Sequence, residues 1–120
     1  MSKDRDYVLF LEDILESIAK IEKYTEDLTY QEFHKDEMVI DAVVRNFEII
    51  GEAVNKVPEE LKEQYPFVEW NEAVGFRNVM IHEYFGVDTE TVWETVQNNI
   101  PALKEKISRV KKAETKKDTS

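Results

Sequence analysis

The sequence predicts an all-α fold, an up-and-down bundle of four helices with one short extra helix. Apolar residues recur at three- and four-residue steps through several long segments, with charged residues between them. No segment alternates with the two-residue period of a strand. The composition agrees, since 42% apolar and 35% charged residues is the balance of a soluble, strongly helical chain. A length of 120 residues suits one domain with a small core.

The first helix follows from Tyr7, Leu11, Ile14, Ile18, Ile21 and Leu28 and is expected over about Lys3 to Asp27. Asp4 or Asp6 near its start suits the helix dipole. Thr29 can cap a short turn through Phe33. The second helix is expected over Lys35 to Lys56, with a broader apolar set that includes Met38, Ile40, Val43, Val44, Phe47, Ile50 and Val54. Apolar residues that far round the circumference imply burial on more than one side, and the extra face suggests a subunit contact. Gly51 inside this helix costs about 1 kcal/mol relative to Ala, which points to a close helix crossing. Pro58 suits the first turn of a short helix, Glu59 to Gln64, and Tyr65-Pro66 forces an extended step.

A further helix is expected over Glu69 to His82, with Gly86 as its terminator. Asp88 or Thr89 should cap the last helix, whose stripe is Val92, Val96, Ile100, Leu103, Ile107 and Val110. Pro101 lies within that stripe and should kink it, because it removes a backbone donor. From Lys111 onward all residues are small or charged, so the domain is expected over 1–110, with a tail lacking order over 111–120.

Several function classes are excluded by composition. No apolar run approaches the roughly 18 residues of a transmembrane helix, and Met-Ser-Lys-Asp-Arg-Asp does not begin like a signal peptide. Without cysteine there is no disulfide and no thiolate metal site. A cytoplasmic protein is expected. The net charge of −10 repels nucleic acid at long range. It predicts weak, salt-sensitive RNA binding or a basic partner surface, unless Arg45, Arg77 and nearby lysines line one cleft.

Chemistry concentrates in Arg77-Asn78-Val79-Met80-Ile81-His82-Glu83-Tyr84. A guanidinium can hold a phosphate bidentately, and an imidazole moves protons near neutral pH. Taken singly, each residue has an ordinary reading: Arg77 at the surface, His82 as a structural hydrogen-bonder, Tyr84 as core packing with its hydroxyl at the rim. Arg77 and His82 also lie about 140° apart around a regular helix. Three routes could bring them to one point: a helix that loosens near His82, a long Arg side chain that swings round, or a dimer with a shared cleft.

The remaining candidates are weaker. His34 sits in a turn with no second His at ligand spacing, so no zinc site is expected. Glu48 and Glu52 share a helix face, yet the Glu-x-x-His pairs of a di-metal bundle are missing. With Arg45 they read instead as a polar network supporting the motif helix. No phosphate-binding Gly-rich loop occurs, and no metal or cofactor is expected. Trp70 and Trp93 could stack on bases, but each lies in an apolar stripe and reads as core.

Two blocks give these residues a context. Arg45-Asn46-Phe47-Glu48-Ile49-Ile50-Gly51-Glu52-Ala53 comes first. Trp70-Asn71-Glu72-Ala73-Val74-Gly75-Phe76 then leads into the motif, and Phe85-Gly86-Val87-Asp88 follows it. Together they resemble the HepT-like branch of the HEPN superfamily of helical ribonuclease toxins, over roughly Asp6 to Val110. The resemblance implies an HEPN-like homodimer with the motif at the subunit junction, acting as a metal-independent endoribonuclease on RNA. It implies attack of the 2′-hydroxyl on phosphorus, with His82 as general base or acid, Arg77 on the phosphate and Asn78 in support. It also implies an MNT-type nucleotidyltransferase antitoxin as partner, which transfers AMP to Tyr84 and silences the toxin. The alternative is a non-catalytic subunit that binds substrate or nucleotide for a nucleotidyltransferase, which the acidic surface suits better.

Overall fold

A computed structural model describes the backbone of residues 2–82 and 88–119 and the side chains of residues 7–76 and 88–117. The fold is all-α. Four long helices form the frame: α1 (Ser2–Thr25), α3 (Glu37–Lys56), α5 (Trp70–His82) and α7 (Ile100–Thr119). Short helices α2 (Tyr30–Lys35), α4 (Glu59–Gln64) and α6 (Thr89–Glu94) join them, so the short elements exceed the single one expected. Among the described residues, no helix is long and apolar enough to cross a membrane.

α1 buries the stripe read from the sequence, with Leu11, Ile14, Ile18 and Ile21 fully enclosed. The connection to α3 is set by two caps. Thr29 and Glu32 form a reciprocal capping box, with Glu32 N–H on Thr29 Oγ1 at 3.2 Å and Thr29 N–H on Glu32 Oε1 at 2.9 Å. Asp36 Oδ1 then accepts from Val39 N–H at 3.1 Å. That cap divides the chain into α2 and α3, and α3 therefore starts at Glu37 rather than Lys35.

α3 packs against both α1 and α5, and α1 also packs against α7. Val43, Val44, Phe47, Ile50 and Val54 are buried, as is Gly51. α1 and α5 thus cover most of the broad apolar circumference of α3 within one chain, while Met38 remains exposed. α4 and α5 begin within a residue of their predicted positions, and the Trp70 indole N–H donates to the Tyr65 carbonyl at 3.0 Å. Trp70 is core, as its stripe implies.

The last helical stretch departs from the expectation twice. Asp88 caps α6, accepting from Thr91 N–H at 3.3 Å and from Thr91 Oγ1 at 2.7 Å. Those bonds, the hydroxyl first, hold its carboxyl below the ordinary range. Between α6 and α7, Thr95–Asn99 form a π-helical turn in which Ile100 N–H reaches back to the Thr95 carbonyl. Pro101 supplies the reason. It has no N–H and its ring crowds the Gln97 carbonyl, so the chain widens by one residue rather than breaking.

The second departure is at the C-terminal end. α7 continues past Lys111 to Thr119, where disorder was expected. The continuation is held by specific contacts. Tyr65 Oη donates to Glu114 at 2.5 Å, Lys117 pairs with Glu114 at 3.0 Å, and Ala113 packs on the core. Lys111 also faces Glu12 of α1 at 3.9 Å.

Tyr65 is buried, and burial followed by the Glu114 carboxylate pushes its phenol above the ordinary tyrosine range. A raised phenol pKa favours the neutral form in the folded state. Its stabilising effect is complete below the unfolded value of 10.0 and is lost as pH rises through the folded value. Tyr65→Phe should cost about 2 kcal/mol at pH 7, the size of a hydrogen bond to a charged acceptor. Urea unfolding should show that gap closing above the ordinary tyrosine range, and a gap constant through alkaline pH would contradict this assignment.

Candidate functional site

The motif lies on α5, which remains helical through His82. Loosening before His82 is therefore not the route that unites Arg77 and His82. Their backbones stay about 140° apart around the axis and about 7.5 Å apart along it. The side chains of Arg77, Asn78 and His82 fall outside the described set, and Tyr84 lies outside the described residues.

What positions α5 is well defined. Phe47 and Phe76 meet edge to face, with centroids 5.3 Å apart and planes at 72°. Both rings are buried, which locks α5 against α3 one residue before Arg77. Arg45 lies two residues before Phe47 and so faces away from that contact, toward solvent. Arg45 Nη1 donates to Glu48 Oε2 at 3.3 Å, a pair within α3, with 68% of the Arg45 side chain exposed. Glu52, one turn on, is also exposed. Between Arg45 and Phe47, Asn46 is buried and donates from Nδ2 to the Ala42 carbonyl at 2.8 Å.

On the far side of the motif, Thr89 anchors the start of α6 to α2. Its Oγ1 stands 2.8 Å from His34 Nδ1 and 3.1 Å from Tyr30 Oη. His34 is helical rather than in a turn, and its function here is to hold Thr89. Trp93 supports the same corner through its ring contacts with Phe33 at 5.1 Å and Tyr30 at 6.2 Å, a packing role rather than a free stacking platform. These contacts escaped the sequence because their partners are more than 50 residues apart, at no helical spacing. Glu72 was missed too, because its partner lies 27 residues away: it accepts from Asn99 Nδ2 at 2.6 Å across the gap between α5 and the π turn. Among the described residues, no group of three His, Cys, Asp or Glu is placed to hold a metal.

A family model described as ribonuclease HepT-like matches residues 14–110, a span that contains both sequence blocks and the whole motif. The chain belongs to that family. Similar proteins extend the match. A provisionally named RNase of Methanocaldococcus jannaschii is 43% identical over 106 residues, 88% of each chain. A second from the same organism is 43% identical over 110 residues, covering 92% of this chain and 100% of its own. A provisionally named ribonuclease HepT of Thermococcus cleftensis is 40% identical over 108 residues, 90% of this chain and 98% of the relative. No solved structure matches the chain.

In this HepT-like chain the motif helix carries a glycine with free space around it. A Cβ built on Gly75 meets nothing within 4 Å. Gly75→Ala should therefore stabilise the fold by about 1 kcal/mol, the helix-propensity difference, read as a higher urea midpoint. A lower midpoint would mean that a second surface already occupies that space.

Proposed function

We propose that this HepT-like chain is a metal-independent endoribonuclease, the toxin of a pair with an MNT-type nucleotidyltransferase antitoxin. The observation that supports this reading is the family match over 14–110, with Arg77, Asn78 and His82 carried on one continuous helix. His82 takes the proton from a ribose 2′-hydroxyl, and the freed oxygen attacks the adjacent phosphorus. The bond from phosphorus to the 5′-oxygen breaks, giving a 2′,3′-cyclic phosphate. An imidazolium returns a proton to the departing oxygen, which leaves as a 5′-hydroxyl. Arg77 holds the phosphate and offsets its growing negative charge, and Asn78 orients His82 or binds phosphate.

Because α5 stays helical through His82, the backbones of Arg77 and His82 sit about 140° apart around it. A homodimer with paired motif helices resolves this, since Arg77 of one subunit can face His82 of the other across a shared cleft. Arg45 pairs with Glu48 within α3, one turn from Glu52, and the motif helix takes its position from the Phe47–Phe76 contact instead. Tyr84, two residues beyond His82, is the acceptor of AMP from the antitoxin. The added phosphodiester places negative charge beside Arg77 and competes with RNA phosphate.

Purified protein should cleave single-stranded RNA in EDTA and scatter light as two chains of 14.2 kDa each. His82→Ala should lower cleavage by about 100-fold or more, the usual contribution of general acid–base catalysis, with helicity unchanged. Cleavage that EDTA abolishes, or that survives in His82→Ala, would transfer support to the binding-subunit reading, which the net charge of −10 favours. A monomer that cleaves would remove the shared cleft.

Incubation with ATP and the nucleotidyltransferase should add AMP to Tyr84, with cleavage falling in proportion to the adduct. Tyr84→Phe should keep cleavage and escape silencing. Intact-protein and peptide mass spectrometry decide the matter, and an adduct on another tyrosine would sink this mode of control.

A further inference from the structure

The fourth side of the bundle, between α5 and the π turn that enters α7, holds a cavity of about 220 Å³. Its floor is apolar, with Phe76 and Leu103 both more than nine-tenths buried. Its rim is polar and comes from three places: Glu69 and Glu72 beside and on α5, Asn98 and Asn99 on the π turn, and Lys106 on α7. Asn99 Nδ2 donates to Glu72 Oε1 across the mouth at 2.6 Å, and Lys106 Nζ stands 4.0 Å from Glu69.

Size, charge and pattern each narrow the ligand. The volume lies below the roughly 300–1,000 Å³ of pockets that enclose whole drug-sized ligands, so the cleft suits one flat ring. Two carboxylates against one ammonium repel a phosphate but welcome N–H donors. An amide beside a carboxylate is the pairing that reads base edges, with Asn serving adenine and a carboxylate accepting from the cytosine amine. The π turn that Pro101 sets delivers two consecutive asparagines to the rim. Position completes the case, because Phe76 on the floor immediately precedes Arg77.

We infer that this cleft is a base pocket for a nucleotide flanking the cleaved phosphate, and that it selects bases whose Watson–Crick edge sets an exocyclic amine beside an acceptor ring nitrogen, adenine or cytosine, over uracil. This rests on the ribonuclease reading, in which Arg77 holds the neighbouring phosphate. Glu72 accepts from the amine, and Asn99, released from Glu72, donates to the ring nitrogen beside it. The bond that closes the empty cleft is exchanged for two bonds to the base. Uracil places a carbonyl oxygen where the amine would be, facing the lone pairs of Glu72.

Short RNA oligonucleotides that differ only in the base beside the cleaved bond test this through kcat/KM. The wild-type protein should prefer adenine or cytosine over uracil by roughly tenfold, the size of a good base-edge contact. Glu72→Ala should bring that ratio to within about twofold, while Glu72→Gln, which keeps an acceptor oxygen, should preserve most of it. A Glu72–Asn99 bond that merely ties α5 to α7 would slow all substrates equally, and that result overturns the pocket. A second measurement stands apart from catalysis: millimolar adenosine or cytidine should shift the side-chain amide resonances of Asn98 and Asn99, and uridine should not. Shifts without any RNA cleavage would retain the pocket and fault the ribonuclease reading. Cleavage with no shift, or with equal shifts from uridine, would do the reverse.

Discussion

Everything in this fold depends on α3 being buried from two sides. α1 covers one flank and α5 the other, so a single helix carries the packing of half the bundle. Val43, Phe47, Ile50 and Val54 are fully enclosed. Among them Phe47 has a second consequence, because its ring fixes Phe76 and with it the register of α5. The motif helix therefore inherits its position from the core rather than from the polar residues around it. The buried Asn46 fits this arrangement by satisfying its amide on the preceding turn of its own helix, leaving the α3–α5 seam apolar.

The legibility of this structure in the sequence follows the range of the forces involved. Helical periodicity and capping act over three or four residues, so the positions of α1, α4 and α5 could be read to within about two residues. The Thr29 capping turn was visible for the same reason, as was the disturbance at Pro101, although its form as a π turn was not. What could not be read acts across the chain. The last ten residues lack an apolar stripe, yet the Tyr65–Glu114 bond joins segments 49 residues apart and keeps α7 helical. The α3 stripe revealed that two sides are buried, but nothing local distinguishes an intramolecular neighbour from a second subunit. In the candidate site, the motif was legible as a local block, whereas the His34–Thr89 and Glu72–Asn99 contacts had no local signature.

Charge is distributed unevenly, and the distribution matters more than the total. α7 holds seven of the sixteen Lys and Arg residues, against three acids of its own. Several of those cations are spent within the fold. Lys104 pairs with Glu22 at 2.9 Å, Lys111 with Glu12 at 3.9 Å and Lys106 with Glu69 at 4.0 Å. Such exposed or half-exposed pairs stabilise little individually and serve mainly to match α7 to its acidic neighbours. They leave little free positive charge to attract a polyanion over distance. On the proposed reading, RNA binding would come from short-range contacts inside the site, where Arg77 would act on a phosphate without help from a long-range field.

That constraint bears on how the site is completed. A helical α5 sets the backbones of Arg77 and His82 about 140° apart, and an acidic surface does not draw in the RNA backbone over distance. Both shortfalls call for groups supplied from elsewhere. In the proposed dimer, a second copy of α5 would meet the first by placing Arg77 of one helix opposite His82 of the other. The proposed base pocket between α5 and the π turn would meet the second, because a base carries no charge to be repelled by Glu69 and Glu72. The two devices occupy different parts of α5. The cleft takes Glu72 and Phe76 in its first half, and the motif occupies its second half. One short helix, locked by Phe47, would then carry the proposed base-reading edge and the proposed phosphate-cutting edge in a fixed relation to each other.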